Sequence, residues 1–268
     1  MIAVRPLTVV LVAAGAAIAL TGCGSNTAPA VGGSSSAATS STASITGTVN
    51  VFAAASLQET FSTLKKQFET AHPGVTVTPN FGASSALAQQ INQGAPADVF
   101  ASASQTNMDQ VVKAGAASSS KAFAKNAMEI AVPPANPAGI TSENDLAKPG
   151  VKVALCQVQV PCGTVAAKVF STADITVTPV SQEADVKAVL TKVQLGEVDA
   201  GVVYVTDVKA AGDKVKGIEI ASDVNASTSY PIAALRRAPN PDAAAAFVAY
   251  VLSPDGQTVL RAGGFAAP

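Results

Sequence analysis

Val49-Asn50-Val51-Phe52-Ala53-Ala54-Ala55-Ser56-Leu57-Gln58-Glu59-Thr60-Phe61 is the stretch on which the reading of this chain turns. β-branched and aromatic residues run into alanines, so a buried strand is expected to stop there and pass straight into a helix. Ser56 and Glu59 have the Ser-x-x-Glu spacing of a capping box, in which the serine hydroxyl takes an orphan amide proton of the first turn. Leu57, Phe61, Leu64 and Phe68 then recur at helical spacing as one apolar face. The alanines let another backbone, or a ligand, approach the carboxyl end of the strand. Open α/β sheets bind ligands there, and a helix N-terminus favours negative charge. Taken alone, the segment also fits an ordinary strand–helix turn.

Working outward, the 268 residues suffice for one large α/β domain or for two lobes with separate cores. A formal charge of −1 and an aromatic content of 4% argue against a nucleic-acid surface, and net charge is not what would capture an anion. Arg5 followed by a Leu/Val/Ala/Ile run reads as an export signal over residues 1–22, too short for a typical membrane span and ending in small residues. Leu20-Thr21-Gly22-Cys23 resembles the bacterial lipobox, with Cys23 as the lipidated residue; a plain signal peptide with a chance cysteine is the alternative. Residues 23–47, rich in Ser, Thr, Ala and Gly, read as a flexible tether, and folded structure is expected from about Thr48.

Beyond the tether, strand and helix patterns alternate, which predicts a mostly parallel α/β sheet. Strands are expected at Val75–Thr78, Asp98–Ala101, Ala127–Val132, Val151–Leu155, Ile175–Val180, Asp199–Val203 and Tyr230–Leu235. Helices are expected from Ser84, around Met108–Val112, over Thr164–Phe170, through Val186–Val193, and over Ala243–Val251 and Gln257–Arg261. Cys156 and Cys162 form a close pair that in an exported protein is most simply a disulfide. A metal site is the rival, and a chain with the single histidine His72 supports it poorly.

Several strand ends and helix starts offer a hydroxyl or a backbone N–H: Ser56, the turn Phe81-Gly82-Ala83-Ser84-Ser85, and the turn Val160-Pro161-Cys162-Gly163-Thr164. Val186 joins them if its helix starts at Glu183, as does Tyr204 at the end of Gly201-Val202-Val203. Here the chain resembles the molybdate-binding proteins of ABC uptake systems. The likeness lies in Phe52-Ala53-Ala54-Ala55-Ser56-Leu57, in Phe81 to Ser85, and in Gln93-Gly94-Ala95-Pro96-Ala97-Asp98-Val99-Phe100-Ala101-Ser102-Ala103. It continues in Gly201-Val202-Val203-Tyr204 and in the ending Gly263-Gly264-Phe265.

The resemblance implies an α/β fold of the periplasmic-binding-protein type II class, each lobe a mostly parallel sheet flanked by helices, with the oxyanion in the cleft between lobes. Residues 48–126 with 228–268 would form the first lobe and 127–227 the second. By position, Ser56 and Ser84 would give hydroxyl and amide protons, Cys162 and Val186 backbone N–H groups, and Tyr204 its phenolic O–H. Many relatives carry alanine where Cys162 stands, which leaves an N–H donor unaffected. The implied protein is a non-enzymatic, extracytoplasmic solute-binding lipoprotein, anchored through Cys23, without a cofactor. It would take molybdate, and tungstate of nearly equal size, and deliver it to an ABC permease.

The five candidate strand ends and helix starts hold no Lys or Arg, and every site group named there is a donor, which suits a fully deprotonated tetrahedral dianion. A site for a protonated phosphate would want a carboxylate acceptor; Asp185 is the nearest, and a solvated place in a helix's first turn is its plainer reading. Sulfate differs in size rather than charge, so cavity size must discriminate. His72, before Pro73-Gly74, is expected at an exposed helix end, and Arg236-Arg237 on the surface. Rival readings are a receptor for sulfate, thiosulfate or phosphate, a secreted hydrolase using Ser56 or Ser84 with His72 as base, and a sensor or adhesin.

Overall fold

The computed structural model describes residues 44–268, so the expected export signal, Cys23 and the expected tether up to residue 43 lie outside the described residues. Strand β1 (Gly47–Ala54) runs into a short 3-10 turn (Ala55–Leu57) and helix α1 (Gln58–Ala71). There follow β2 (Val75–Gly82), α2 (Ser84–Asn92), β3 (Val99–Ala101) and α3 (Gln105–Lys113). The long strand β4 (Lys121–Val132) leads to β5 (Val153–Cys156), α4 (Pro161–Thr172), β6 (Ser181–Glu183), α5 (Val186–Gln194), β7 (Ala200–Tyr204) and α6 (Val205–Ala211). The chain closes with β8 (Lys216–Glu219), β9 (Ser227–Ala234), α7 (Pro241–Leu252) and α8 (Pro254–Ala262).

The strands order as β2-β1-β3-β9-β4-β7-β5-β6, with β8 added on β4. Strands joined through helices pair parallel, as β1 does with β2 and β3 and β5 with β6 and β7. The exceptions are β4 and β9, which pair antiparallel with each other and with their other neighbours. Strand β4 changes partner midway: Lys121–Ala127 face β9, and Met128–Ala131 face β7. One strand thus belongs to both lobes.

Each lobe has its own core. In the first, Leu57, Phe61, Leu64 and Phe68 bury the expected face of α1 against Phe123 and Phe247. Phe68 and Phe247 meet edge to face at 5.2 Å, and each buried side chain of this size contributes about 1.5–3 kcal/mol. Leu87, Ile91, Phe100, Met108 and Val111 fill the opposite face of the same sheet. In the second lobe, Val165 and Val169 of α4 and Val189, Leu190 and Val193 of α5 close over β5 and β7.

The strand expected at Ile175–Val180 is not one. Ile175 and Val177 pack against the second core, but Pro179 has no N–H for a ladder; the Val180 N–H reaches the Val153 carbonyl at 2.9 Å, and register pairing begins at Ser181. Helix α5 starts at Val186 rather than Glu183, because Asp185 caps it and Glu183 ends β6. Helix α6 and strand β8 were not foreseen. Asp98 of the Gly94–Ala103 motif is fully buried as a tie: its carboxylate accepts from the Asn50 and Asn240 amides at 2.7 Å each, fixing β1 and the start of α7 to β3.

Candidate functional site

The chain ends of β1, β2, β5 and β7 meet at one small pocket, and every sequence-predicted binding residue lines it. Its walls include Ala54 to Ser56, Gly82 to Ser84, Ala103, Val160 to Cys162, Asp185, Val186 and Tyr204. The cavity volume is about 10 Å³, far below the roughly 300–1,000 Å³ usual for organic ligands. The scale is that of a small ion.

Ser56 does not act as the expected cap. It lies inside the 3-10 turn, α1 is entered through Leu57 with no side-chain cap, and the Ser56 hydroxyl lies 2.8 Å from the Tyr230 hydroxyl. Glu59, the other half of the expected capping box, pairs instead with Lys187. The tertiary partner wins because both hydroxyls are buried and need each other. Ser84 opens α2, and its Oγ accepts the Ala103 N–H at 2.9 Å, leaving its own proton free to point elsewhere. The Ser84 amide is in the first turn, where no carbonyl lies one turn back to receive it.

The opposite wall is made of backbone. Cys162 follows Pro161 in the first turn of α4, so its N–H has no intrahelical acceptor. Its sulfur is bonded to that of Cys156 at the end of β5, which closes the loop between strand and helix. Gly163 is required here: a Cβ would stand 2.0 Å from the Gln157 carbonyl oxygen. At the start of α5, Asp185 Oδ1 accepts the Lys187 and Ala188 amides at 2.8 and 3.1 Å. Asp185 is therefore engaged as a cap, and the Val186 N–H is the first-turn amide it leaves over.

Tyr204 ends β7 and is 1% exposed, yet among the described residues its hydroxyl has no hydrogen-bond partner. Burial raises its pKa well above the ordinary value, with Tyr230 and Asp207 adding to the rise, so it remains a proton donor at neutral pH. No ammonium or guanidinium lines the pocket. Lys187, next in sequence to Val186, has its Nζ taken by Glu59 at 2.8 Å and by fully buried Asp207 at 3.0 Å. Burial works against the Lys187 charge, but the two carboxylates outweigh it and hold its pKa above the ordinary value. That ion triad joins α1 to α5 and α6, and the sequence reading missed it. Lys187 follows Val186 directly and Asp207 stands in the first turn after Tyr204, which is the signal that was there to read.

Of the residues set aside, Arg236 and Arg237 are exposed. His72 is half-buried rather than exposed, its ring 4.5 Å from that of Phe68. It caps the far end of α1, about 20 Å from Ser56 by helix rise, so the two cannot form a nucleophile–base pair.

A family model for bacterial extracellular solute-binding proteins matches residues 49–266. The molybdate-binding protein ModA of Mycobacterium tuberculosis is 43% identical over 219 residues, covering 81% of this chain and 84% of that protein. The structure of the Azotobacter vinelandii periplasmic molybdate-binding protein superposes with a TM-score of 0.73 at 19% identity, covering 82% of this chain and 99% of that one. The sulfate-binding protein SubI of M. tuberculosis also gives 0.73, at 18% identity and with 82% and 86% covered. At such identities these two structural likenesses speak for the fold alone.

Proposed function

Because the chain belongs to the molybdate-binding family of bacterial extracellular solute-binding proteins, we propose that it captures molybdate in the pocket of Ser56, Ser84, Cys162, Val186 and Tyr204. The observation that carries this reading is the Tyr204 hydroxyl, buried against the pocket without a partner. A buried donor wants an acceptor, and around this one every other available group is a donor too. A dianion deprived of water costs tens of kcal/mol, and hydrogen bonds to charged groups return about 1.5–3 kcal/mol each. Amides at the starts of α2, α4 and α5 add the favourable end of the helix dipole.

The finer parts of the reading follow from the same chemistry. Tungstate, alike in charge and size, binds as molybdate does, and smaller sulfate is rejected by fit. The lobes, taken as 48–126 with 228–268 and as 127–227, close on the anion about β4 and β9, since both supply donors and ligand contacts favour the closed form. Cys23 carries a lipid that holds the protein at the outer face of the cell membrane, where the loaded form meets its ABC permease. The chain performs no catalysis.

Calorimetric titration of the chain from residue 24 onward with molybdate, tungstate, sulfate and phosphate tests the assignment. The expected result is tight, nearly equal binding of the first two and far weaker binding of the others. Sulfate bound as tightly as molybdate would overturn it. Tyr204→Phe is expected to weaken molybdate by on the order of tenfold to a hundredfold, the worth of one hydrogen bond to a charge.

A further inference from the structure

Behind Ser56, outside the pocket, lies Tyr230, fully buried on β9 and held among the rings of Phe123, Tyr204 and Phe265 at 6.2, 6.1 and 5.2 Å. Its hydroxyl has two neighbours within hydrogen-bond reach: Ser56 Oγ at 2.8 Å and Asn126 Nδ2 at 3.5 Å. The orientation of the Asn126 amide is fixed by its surroundings. Oδ1 accepts the Ala127 N–H at 3.1 Å, and Nδ2 donates to Thr206 Oγ1 at 2.8 Å. Asn126 therefore offers Tyr230 a proton and no lone pair. The Tyr204 hydroxyl stands nearby but makes no well-formed hydrogen bond, so among the described residues Ser56 Oγ is the acceptor placed for the phenolic proton. A buried hydroxyl proton without an acceptor is costly, so Tyr230 donates and Ser56 accepts. The Ser56 proton is then free to point away from Tyr230, and Ser56 lines the pocket. Ser84 is set the same way by the Ala103 amide.

We infer that Tyr230 is a specificity-determining positioning residue: through its hydrogen bond it presents Ser56 to the pocket as a donor only. This deepens the oxyanion reading above and rests on it. An oxyanion that keeps a proton, such as hydrogen phosphate, meets Ser56 proton against proton. A fully deprotonated tetrahedral dianion meets it proton to lone pair. Without the phenol, Ser56 Oγ can turn and accept, so the penalty on a protonated ligand falls while the gain on molybdate shrinks.

The test is a double-mutant cycle of Tyr230→Phe and Ser56→Ala, titrated calorimetrically with molybdate and with phosphate at neutral pH. Y230F keeps the ring and its packing. Alone it is expected to weaken molybdate by about tenfold, to leave phosphate unchanged or tighter, and so to narrow the preference. Combined with S56A it is expected to add almost no further loss. Asn126→Asp, which gives the phenol a second acceptor, should shift the preference the same way and carries the test if Y230F folds poorly. Equal losses from Y230F with and without S56A, or equal losses for both anions, would overturn the inference and leave the molybdate assignment standing. A wild-type chain that binds none of the oxyanions would sink both.

Discussion

Of the proposed donors, the first-lobe wall relies on the side-chain hydroxyls of Ser56 and Ser84, whereas the second-lobe wall adds to the Tyr204 phenol two first-turn amides, those of Cys162 and Val186. The two kinds need different support. A hydroxyl proton swings about its C–O bond, so its direction must be set by a neighbour, here the Tyr230 phenol and the Ala103 amide. An amide proton cannot swing, because the peptide plane holds it, so what must be fixed is the path of the chain. Pro161, Gly163, the Cys156–Cys162 bond and the Asp185 cap supply that on the second wall. Preorganisation costs hydrogen-bond partners on one side and backbone constraint on the other.

The largest effect should come from breaking what holds the walls in register. Lys187 lies between Glu59 on the first lobe and Asp207 on α6, and Asp207 has no exposure. Lys187→Met leaves that carboxylate without its cation, and burial already pushes the Asp207 pKa upward against the pull of Lys187. The expected loss is about 3–5 kcal/mol of unfolding free energy in a urea titration. K187M combined with Asp207→Asn should recover most of it, because the charge that needed compensation is gone. A single variant as stable as wild type would show the triad to be incidental.

The second wall predicts a different pattern. Cys156→Ser frees the loop that presents the Cys162 amide, and the chain-entropy worth of so short a ring is only about 2 kcal/mol. Molybdate affinity is therefore expected to fall by on the order of tenfold or more, out of proportion to the few degrees lost in Tm. Unchanged affinity would mean that Pro161 and Gly163 set the path without the bond. The same experiment on the first wall, through Tyr230, should alter selectivity as well as affinity, and that contrast separates direction from position.

How much of this was legible follows from distance along the chain. The apolar face of α1 and the start of α2 at Ser84 were readable because each is a local pattern, whereas Cys162, Val186 and Tyr204 were singled out by the family resemblance as well as by their places at strand ends and helix starts. The Ser56–Glu59 spacing was equally local and misled, since the hydroxyl found Tyr230, 174 residues away. Tyr230 itself looked like a strand residue and nothing more. Asp185 stands directly before the periodic run, the place of an N-cap, and is that cap rather than the solvated first-turn residue expected. Ile175–Val180 is rich in β-branched residues, but Pro179 withholds the N–H that a ladder needs. In the Gly94–Ala103 motif, Asp98 holds strands together, and it is Ala103 at the motif's end that reaches the pocket.

The smallest expected effect sharpens the comparison by what it leaves alone. The pocket donors are serine hydroxyls, amides and a tyrosine held protonated, so the protein side of binding should be flat between pH 5 and pH 8. Stability should not be. Glu129 on β4 pairs across the strands with Glu219 of β8, and burial, with Glu219 repelling it, raises its pKa from the ordinary 4.5 to about 7. The folded chain thus holds this proton more tightly than the unfolded one. That advantage is complete below pH 4.5 and disappears as pH rises through about 7. Glu129→Gln removes the ionisation, so the variant should be more stable than wild type at pH 8, by about 1–2 kcal/mol once solvent screening is allowed for. The gain should vanish toward pH 4.5. Molybdate affinity at pH 8 should be the same in both, because neither wall of the pocket includes Glu129. A change in affinity that tracks this titration would tie the β4–β8 edge to closure and require a third support for the site besides hydroxyl direction and chain path.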